Sequence, residues 1–306
     1  MTLAPFQQMR FEDLPAEPRI AHPFFSLRDE RVRVRSGHFG DVTLSVRRMG
    51  SGPPLVLVHG LMTSSYSFRY VLEPLAKTYE VIVFDLPGAG RSEAPDVPYD
   101  AESMADLIGE TMDELGVKGA RVIGNSMGGY LCMWLALRRP DVMSRLVNLH
   151  SPGMATPRMD ALEAALGWIP GAPRIVDALV RRDPERWAFR NVHYYDESLK
   201  SREEAREYAA PLRTVEGRKA FARYLGETLR ASTMRRFERA LRAARPFPVP
   251  LLLVYARRDP MVPPSVGARL AACVPDARLV WLERGSHFAH VDAPDAFLET
   301  ALPFLA

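Results

Sequence analysis

The stretch Ala120-Arg121-Val122-Ile123-Gly124-Asn125-Ser126-Met127-Gly128-Gly129 carries the first decision about the fold. Ala120 to Ile123 is a short, continuously apolar run of the kind buried on both faces of a parallel sheet. Gly129 to Arg138 then reads as a helix. Between them stands Gly-Asn-Ser-Met-Gly, the context in which a sharp strand-to-helix turn lifts a serine above the sheet edge. A hydroxyl can attack a carbonyl only from such an exposed position, and a turn that tight leaves no room for side chains at its flanks. The following helix would also aim its N-terminal dipole and a free N–H at a developing oxyanion. A plain Gly-rich turn opening a helix fits the pentapeptide equally well until partners for Ser126 are found.

Working outward, Leu55 to Val58, Val81 to Phe84, Leu146 to Leu149, Leu251 to Tyr255 and Arg278 to Leu282 repeat the buried-strand texture. Helical patterns over Phe68 to Lys77, Ala101 to Leu115 and Ala293 to Leu305 alternate with them, which predicts right-handed crossovers and helices on both sheet faces. Two alternating strands around Val32 to Val34 and Val42 to Val46, joined near Gly37 to Asp41, give the sheet an antiparallel start. The expectation is an α/β fold with a mostly parallel eight-stranded sheet. The alternation stops at Ser151-Pro152-Gly153 and resumes after the Pro-rich stretch 246–250. Residues 152–246 are therefore read as an inserted helical lid, 31–151 with 247–306 as the core, and 1–30 as a Pro-rich arm on the surface of the body. The lid holds 19 Lys plus Arg against 13 Asp plus Glu, for which solvated helix faces are the favoured account over attraction of an anionic substrate.

Three further segments supply partners for Ser126. His59-Gly60-Leu61-Met62 follows the first buried strand, where a second oxyanion donor is needed; the N–H groups of Leu61 and Met127 are the candidate pair, with His59 structural. An ordinary strand-to-helix loop with an incidental histidine is the other reading of that segment. Asp259 follows the strand after the lid, and His287 follows the last strand. Both fall at the carboxyl edge, where ligands bind in open α/β sheets. An imidazole to take the hydroxyl proton and a carboxylate to fix its tautomer complete a triad in the order Ser126, Asp259, His287. His290, Asp292 and Asp85 compete for these roles but sit too close in sequence to their partner or in a Pro/Gly turn. Trp168, Trp187, Arg190, His193, Tyr194 and Tyr195 either line a pocket or pack lid on core, and packing is preferred.

Taken together, His59-Gly60, Asp85 to Ser92, Gly124 to Gly129, Asp259 and His287 resemble the α/β-hydrolase superfamily. The Gly-Asn-Ser-Met-Gly-Gly run is similar to that of lidded esterases and of hydrolases that cleave carbon–carbon bonds in ring-fission products. Leu61-Met62-Thr63 and Phe288 depart from the Gly-rich loop and tryptophan usual in the latter. The resemblance implies a serine hydrolase of carboxylic esters working without cofactor or metal. Its alternatives are a carbon–carbon hydrolase acting on a dienoate ketone and a non-catalytic, ligand-binding member of the fold.

Composition agrees with an ordinary globular protein: 47% hydrophobic and 25% charged residues, with a net charge of +3. No basic block with interleaved aromatics points to nucleic acid. No apolar run approaches the roughly 20 residues of a membrane span. Cys132 and Cys273 lack a metal or disulfide spacing and are expected in the core. A small-molecule ester is the expected partner, a homodimer is compatible with the sequence, and the absence of leader features gives a cytoplasmic expectation.

Overall fold

The computed structural model describes residues 4–168 and 172–306, without the side chains of residues 158, 162, 165–168 and 172–176. Eight strands, β1 (Glu30–Ser36), β2 (Gly40–Met49), β3 (Pro54–Val58), β4 (Glu80–Phe84), β5 (Ala120–Asn125), β6 (Met143–Leu149), β7 (Leu251–Ala256) and β8 (Arg278–Leu282), form one sheet in the order β1-β2-β4-β3-β5-β6-β7-β8. Only β1–β2 and β2–β4 pair antiparallel. The expected eight-stranded, mostly parallel sheet is what the chain builds.

Twelve α-helices are described: α1 (Leu72–Ala76), α2 (Ala101–Glu114) and α3 (Met127–Arg138) before β6; α4 (Pro157–Trp168), α5 (Ala172–Arg182), α6 (Pro184–Asn191), α7 (Arg202–Ala209), α8 (Val215–Arg223) and α9 (Ala231–Ala243) between β6 and β7; and α10 (Pro264–Cys273), α11 (Ala289–Asp292) and α12 (Pro294–Leu305) toward the end. The first helix is shorter than the pattern over Phe68 to Lys77 suggested. Ser65–Phe68 is a separate 3-10 turn, and Pro74 stands near the start of α1, which ends by Ala76. None of the described helices is long and apolar enough to cross a membrane.

The apolar strands are buried on both faces for a visible reason. Val56, Val58, Ile82 and Phe84 join one core with side chains of α2 and α3, while Leu55, Leu57, Val81 and Val83 join the other with α1 and α12. A period of two thus serves two cores at once, and past their first residues these strands leave no position for a polar side chain. Cys132 and Cys273 are both buried and free.

Strand order also sets where a ligand can sit. The chain runs from β3 to β4 on one side and then returns to β5 on the other, so β3 and β5 are neighbours whose connections leave in opposite directions. Val58 lies opposite Gly124 in their register, which brings the residues after β3 beside Asn125 and Ser126.

The helical insertion is bolted to the core by a buried ionic cluster. Arg69, fully buried, donates to Glu204 of α7 at 2.5 Å and stacks over Tyr66 and Tyr70 at 4.5 and 4.4 Å. Tyr194 donates to the same carboxylate at 2.6 Å, and Tyr66 donates to Glu203 at 2.6 Å. The sequence reads the arm as lying on the surface of the body. It clasps the insertion as well: Pro15 and Ala16 carbonyls accept from the N–H groups of Arg202 and Glu203, and the Phe11 ring lies 3.8 Å under the Arg202 guanidinium. Two orphan N–H groups at the start of α7 explain why it does so.

A buried charge is tolerable only while paired, and removing one partner costs about 3–5 kcal/mol. Arg69→Met should lower stability by that order in urea unfolding. The double variant Arg69→Met/Glu204→Gln should recover part of the loss, because no unpaired charge then stays buried.

Candidate active site

At the end of β5, Ser126 takes φ 53° and ψ −122°, a strained conformation for a non-glycine residue, and its N–H donates to Leu149 O at 2.7 Å. The turn is held by close approach on either side. A Cβ on Gly128 would lie 2.3 Å from Val58 O and 2.5 Å from His59 O, and one on Gly124 would lie 2.5 Å from Gly129 Cα. Neither position admits a side chain. Gly60 abuts the serine itself, since a Cβ there would fall 2.9 Å from Ser126 Cβ. The loop after β3 is therefore in contact with the serine turn, and Leu61 and Met127 flank it from two strands. Among the described residues neither of their N–H groups finds an acceptor.

The structure brings His287 and Asp259 together. His287 Nδ1 lies 2.7 Å from Asp259 Oδ2, with both residues buried. The other carboxylate oxygen accepts from the N–H groups of Met261 and Val262 at 2.7 and 2.9 Å. Burial opposes ionisation of Asp259, but the neighbouring imidazole and these hydrogen bonds outweigh it and hold the carboxyl below its ordinary range. An ionised carboxylate only accepts, so the proton of a neutral His287 stays on Nδ1 and Nε2 keeps its lone pair. The loop is joined to the serine turn by Asn125, whose Nδ2 donates to His287 O at 3.1 Å.

The competing residues have other work. His59 uses both nitrogens, Nδ1–H toward Gly60 O at 2.8 Å and Nε2 accepting from Leu86 N–H at 2.9 Å. Asp85 accepts from the N–H groups of Ser65 and Arg91 and so shapes the Pro/Gly turn. Asp292 accepts from the N–H groups of Ser286 and Tyr195, tying the His287 loop to the insertion. His290 packs against Phe68 with both ring nitrogens buried.

Of the aromatic residues in the insertion, Trp187 packs against the cluster of Val180, Leu212 and Phe221, whereas Tyr194 is consumed by the Glu204 cluster and Tyr195 stacks edge-on with Phe6. His193 is within 3.5 Å of Gln8, Arg190 is exposed, and the side chain of Trp168 lies outside the described residues.

One residue escaped the sequence reading. His150, directly after β6, is buried at φ 55°, and its ring centroid is 5.6 Å from that of His287. Its Nε2 accepts from Ala256 N–H at 2.6 Å, which links the ends of β6 and β7 just ahead of Asp259. In the sequence His150 is simply a histidine after a buried strand, and nothing there marks a positive φ.

A narrow cleft opens beside the serine turn. Gly60, Leu61 and Met127 form its floor, and Leu212, Phe221 and Tyr224 of the insertion face them.

The family model for the alpha/beta hydrolase fold matches residues 53–294. The chain is 29% identical over 262 residues to a 2-hydroxymuconate semialdehyde hydrolase from Pseudomonas sp., covering 84% of this chain and 88% of that one. It is 28% identical over 264 residues to a pimeloyl-[acyl-carrier protein] methyl ester esterase from Aeromonas hydrophila, covering 84% and 97%. Among solved structures, a thermophilic esterase from Thermogutta terrifontis superposes with a TM-score of 0.72 at 21% identity, over 90% of this chain and 98% of that one.

Burial depresses the His150 imidazole to about 3, from 6.5. The folded state thus resists a proton that the unfolded chain accepts below pH 6.5, so the neutral ring favours folding above that pH and the benefit is lost as pH falls toward 3. Asn tolerates the same backbone conformation. The stability gap between wild type and His150→Asn should therefore shrink on acidification, by on the order of 1 kcal/mol per pH unit, as read from urea midpoints between pH 7 and 4.

Proposed function

This chain belongs to the alpha/beta hydrolase fold family and is a hydrolase of that family, and from that premise we propose that it cleaves carboxylic esters with Ser126 as nucleophile, His287 as general base and acid, and Asp259 as the carboxylate that orients the ring. The observation that carries the reading is the His287 Nδ1 to Asp259 Oδ2 hydrogen bond at 2.7 Å, on the same sheet edge as the strained Ser126.

In this mechanism Ser126 Oγ adds to the ester carbonyl carbon while its proton passes to His287 Nε2. The N–H groups of Leu61 and Met127 stabilise the oxyanion, as donors that need no reorganisation at the moment of reaction. Collapse breaks the bond to the alkoxy oxygen, which leaves as an alcohol with the proton from His287. Water then repeats the sequence on the acyl-enzyme and releases the acid. Asp259 stays ionised throughout and steadies the imidazolium. No cofactor or metal is called for, since every proton and electron pair is accounted for by side chains and water.

A second reading has support from a relative: the 2-hydroxymuconate semialdehyde hydrolase is named for a different substrate class, and the same three residues could serve cleavage of a carbon–carbon bond next to a ketone. A non-catalytic, ligand-binding role is the third.

Ser126→Ala and Asp259→Asn should each reduce kcat/KM on p-nitrophenyl butyrate by about 10³-fold or more, and Ser126→Ala should abolish labelling by a fluorophosphonate. Rates equal to wild type in Ser126→Ala would remove the nucleophile assignment. Turnover of a dienoate ketone alone would select the carbon–carbon reading, and no labelling with no turnover would select the binder.

A further inference from the structure

Resting on the hydrolytic reading of this site, we propose that its cleft takes an uncharged substrate and rejects one carrying a carboxylate, with Glu207 setting that preference. The cleft is walled by Leu61, Met62, Ala89, Leu212 and Phe221, all apolar. Three of its polar side chains have their protons committed: His59 Nδ1 and Thr63 Oγ1 both point to Gly60 O, at 2.8 and 3.0 Å, and Tyr224 donates to Pro87 O at 2.7 Å. The hydroxyl of Tyr208 lies 3.5 Å from Arg69 in the buried cluster. Among the described lining residues the one ionised group is the Glu207 carboxylate.

Glu207 cannot simply turn away. It rides on α7, three residues after Glu204, and the Arg69–Glu204 pair fixes that helix to the core. Arg91 grips it with both Nη atoms, Nη1 to Oε2 at 3.2 Å and Nη2 to Oε1 at 3.3 Å. The Arg91 side chain is 40% exposed and that of Glu207 19%, and of the two residues Glu207 lines the cleft. An incoming anion therefore meets an acceptor that cannot bond it, while the cation that could, Arg91, is held by that carboxylate and lies outside the cleft lining.

The excess positive charge of the insertion does not alter this. Arg213 pairs with Glu185, Arg218 with Asp177, Arg223 with Asp96, Arg230 with Glu163, Arg235 with Asp160 and Arg236 with Glu102. None of these arginines lines the cleft. The same reasoning sets a dienoate, which carries a carboxylate, below a neutral ester as substrate.

Two matched ester pairs test the proposal at neutral pH, one with the charge on the acyl side and one with it on the alcohol side: p-nitrophenyl butyrate against mono-p-nitrophenyl succinate, and phenyl acetate against 4-acetoxybenzoate. Wild type should favour the neutral member of at least one pair by about tenfold or more in kcat/KM. In Glu207→Gln that ratio should fall to within about threefold or invert, because Arg91 is then uncompensated, with the change carried mainly by KM of the anion. Equal values for both pairs in wild type, or a ratio untouched by Glu207→Gln, would overturn it. Calorimetric binding of the same esters to Ser126→Ala gives a readout free of turnover. Tighter binding of the neutral member there, with no hydrolysis by wild type, would sink the hydrolytic reading and keep the cleft preference; equal or tighter binding of the anion would sink the preference itself.

Discussion

Everything at the site depends on one contact between two strand ends: the absence of a side chain at Gly128 lets α3 begin directly against the carbonyl oxygens of Val58 and His59. That closeness turns the chain sharply enough to hold Ser126 at φ 53°. Backbone strain of this kind persists only where the surroundings over-determine it. Here the restraint comes from β3 on one side and from Leu149 O, which accepts the Ser126 N–H, on the other. The sheet thus supplies the stiffness, and the serine stands at the place where β3 and β5 part.

Around that point, polar groups join loops that the sheet alone would leave independent. Asn125 ties the serine turn to the His287 loop, His150 ties the end of β6 to the end of β7, and Asp292 ties the His287 loop to Tyr195 of the insertion. Asn125 and His150 are buried and Asp292 is half-buried, so loss of these bonds would leave partners poorly satisfied. Loops at a sheet edge are ordinarily the mobile part of such a fold. These three links fix the loops relative to one another.

The insertion contributes shape more than chemistry. Its anchoring is ionic and buried, through Arg69 and Glu204, while it lines the cleft mainly with Leu212, Phe221 and Tyr224, beside Glu207. Burying that ion pair is costly in itself, and its return is specificity of placement: α7 can dock in one register only, which puts Glu203 on Tyr66, Glu204 on Arg69 and Glu207 at the cleft wall.

By itself the sequence determined the parallel sheet, because strands covered on both faces must be apolar at every position, and that is a local property of Leu55 to Val58, Val81 to Phe84 and Leu251 to Tyr255. It determined the candidate residues too: a serine between glycines, an aspartate and a histidine each just past a strand are visible as spacing. Tertiary structure decided what spacing cannot carry. The positive φ of His150, the pairing of Arg69 with a glutamate 135 residues away, the arm's grip on α7 and the single carboxylate in the cleft wall all arise between segments distant in the chain. Periodicity reports which face of an element is buried, but not which partner covers it or which of many arginines is already neutralised when the helices pack.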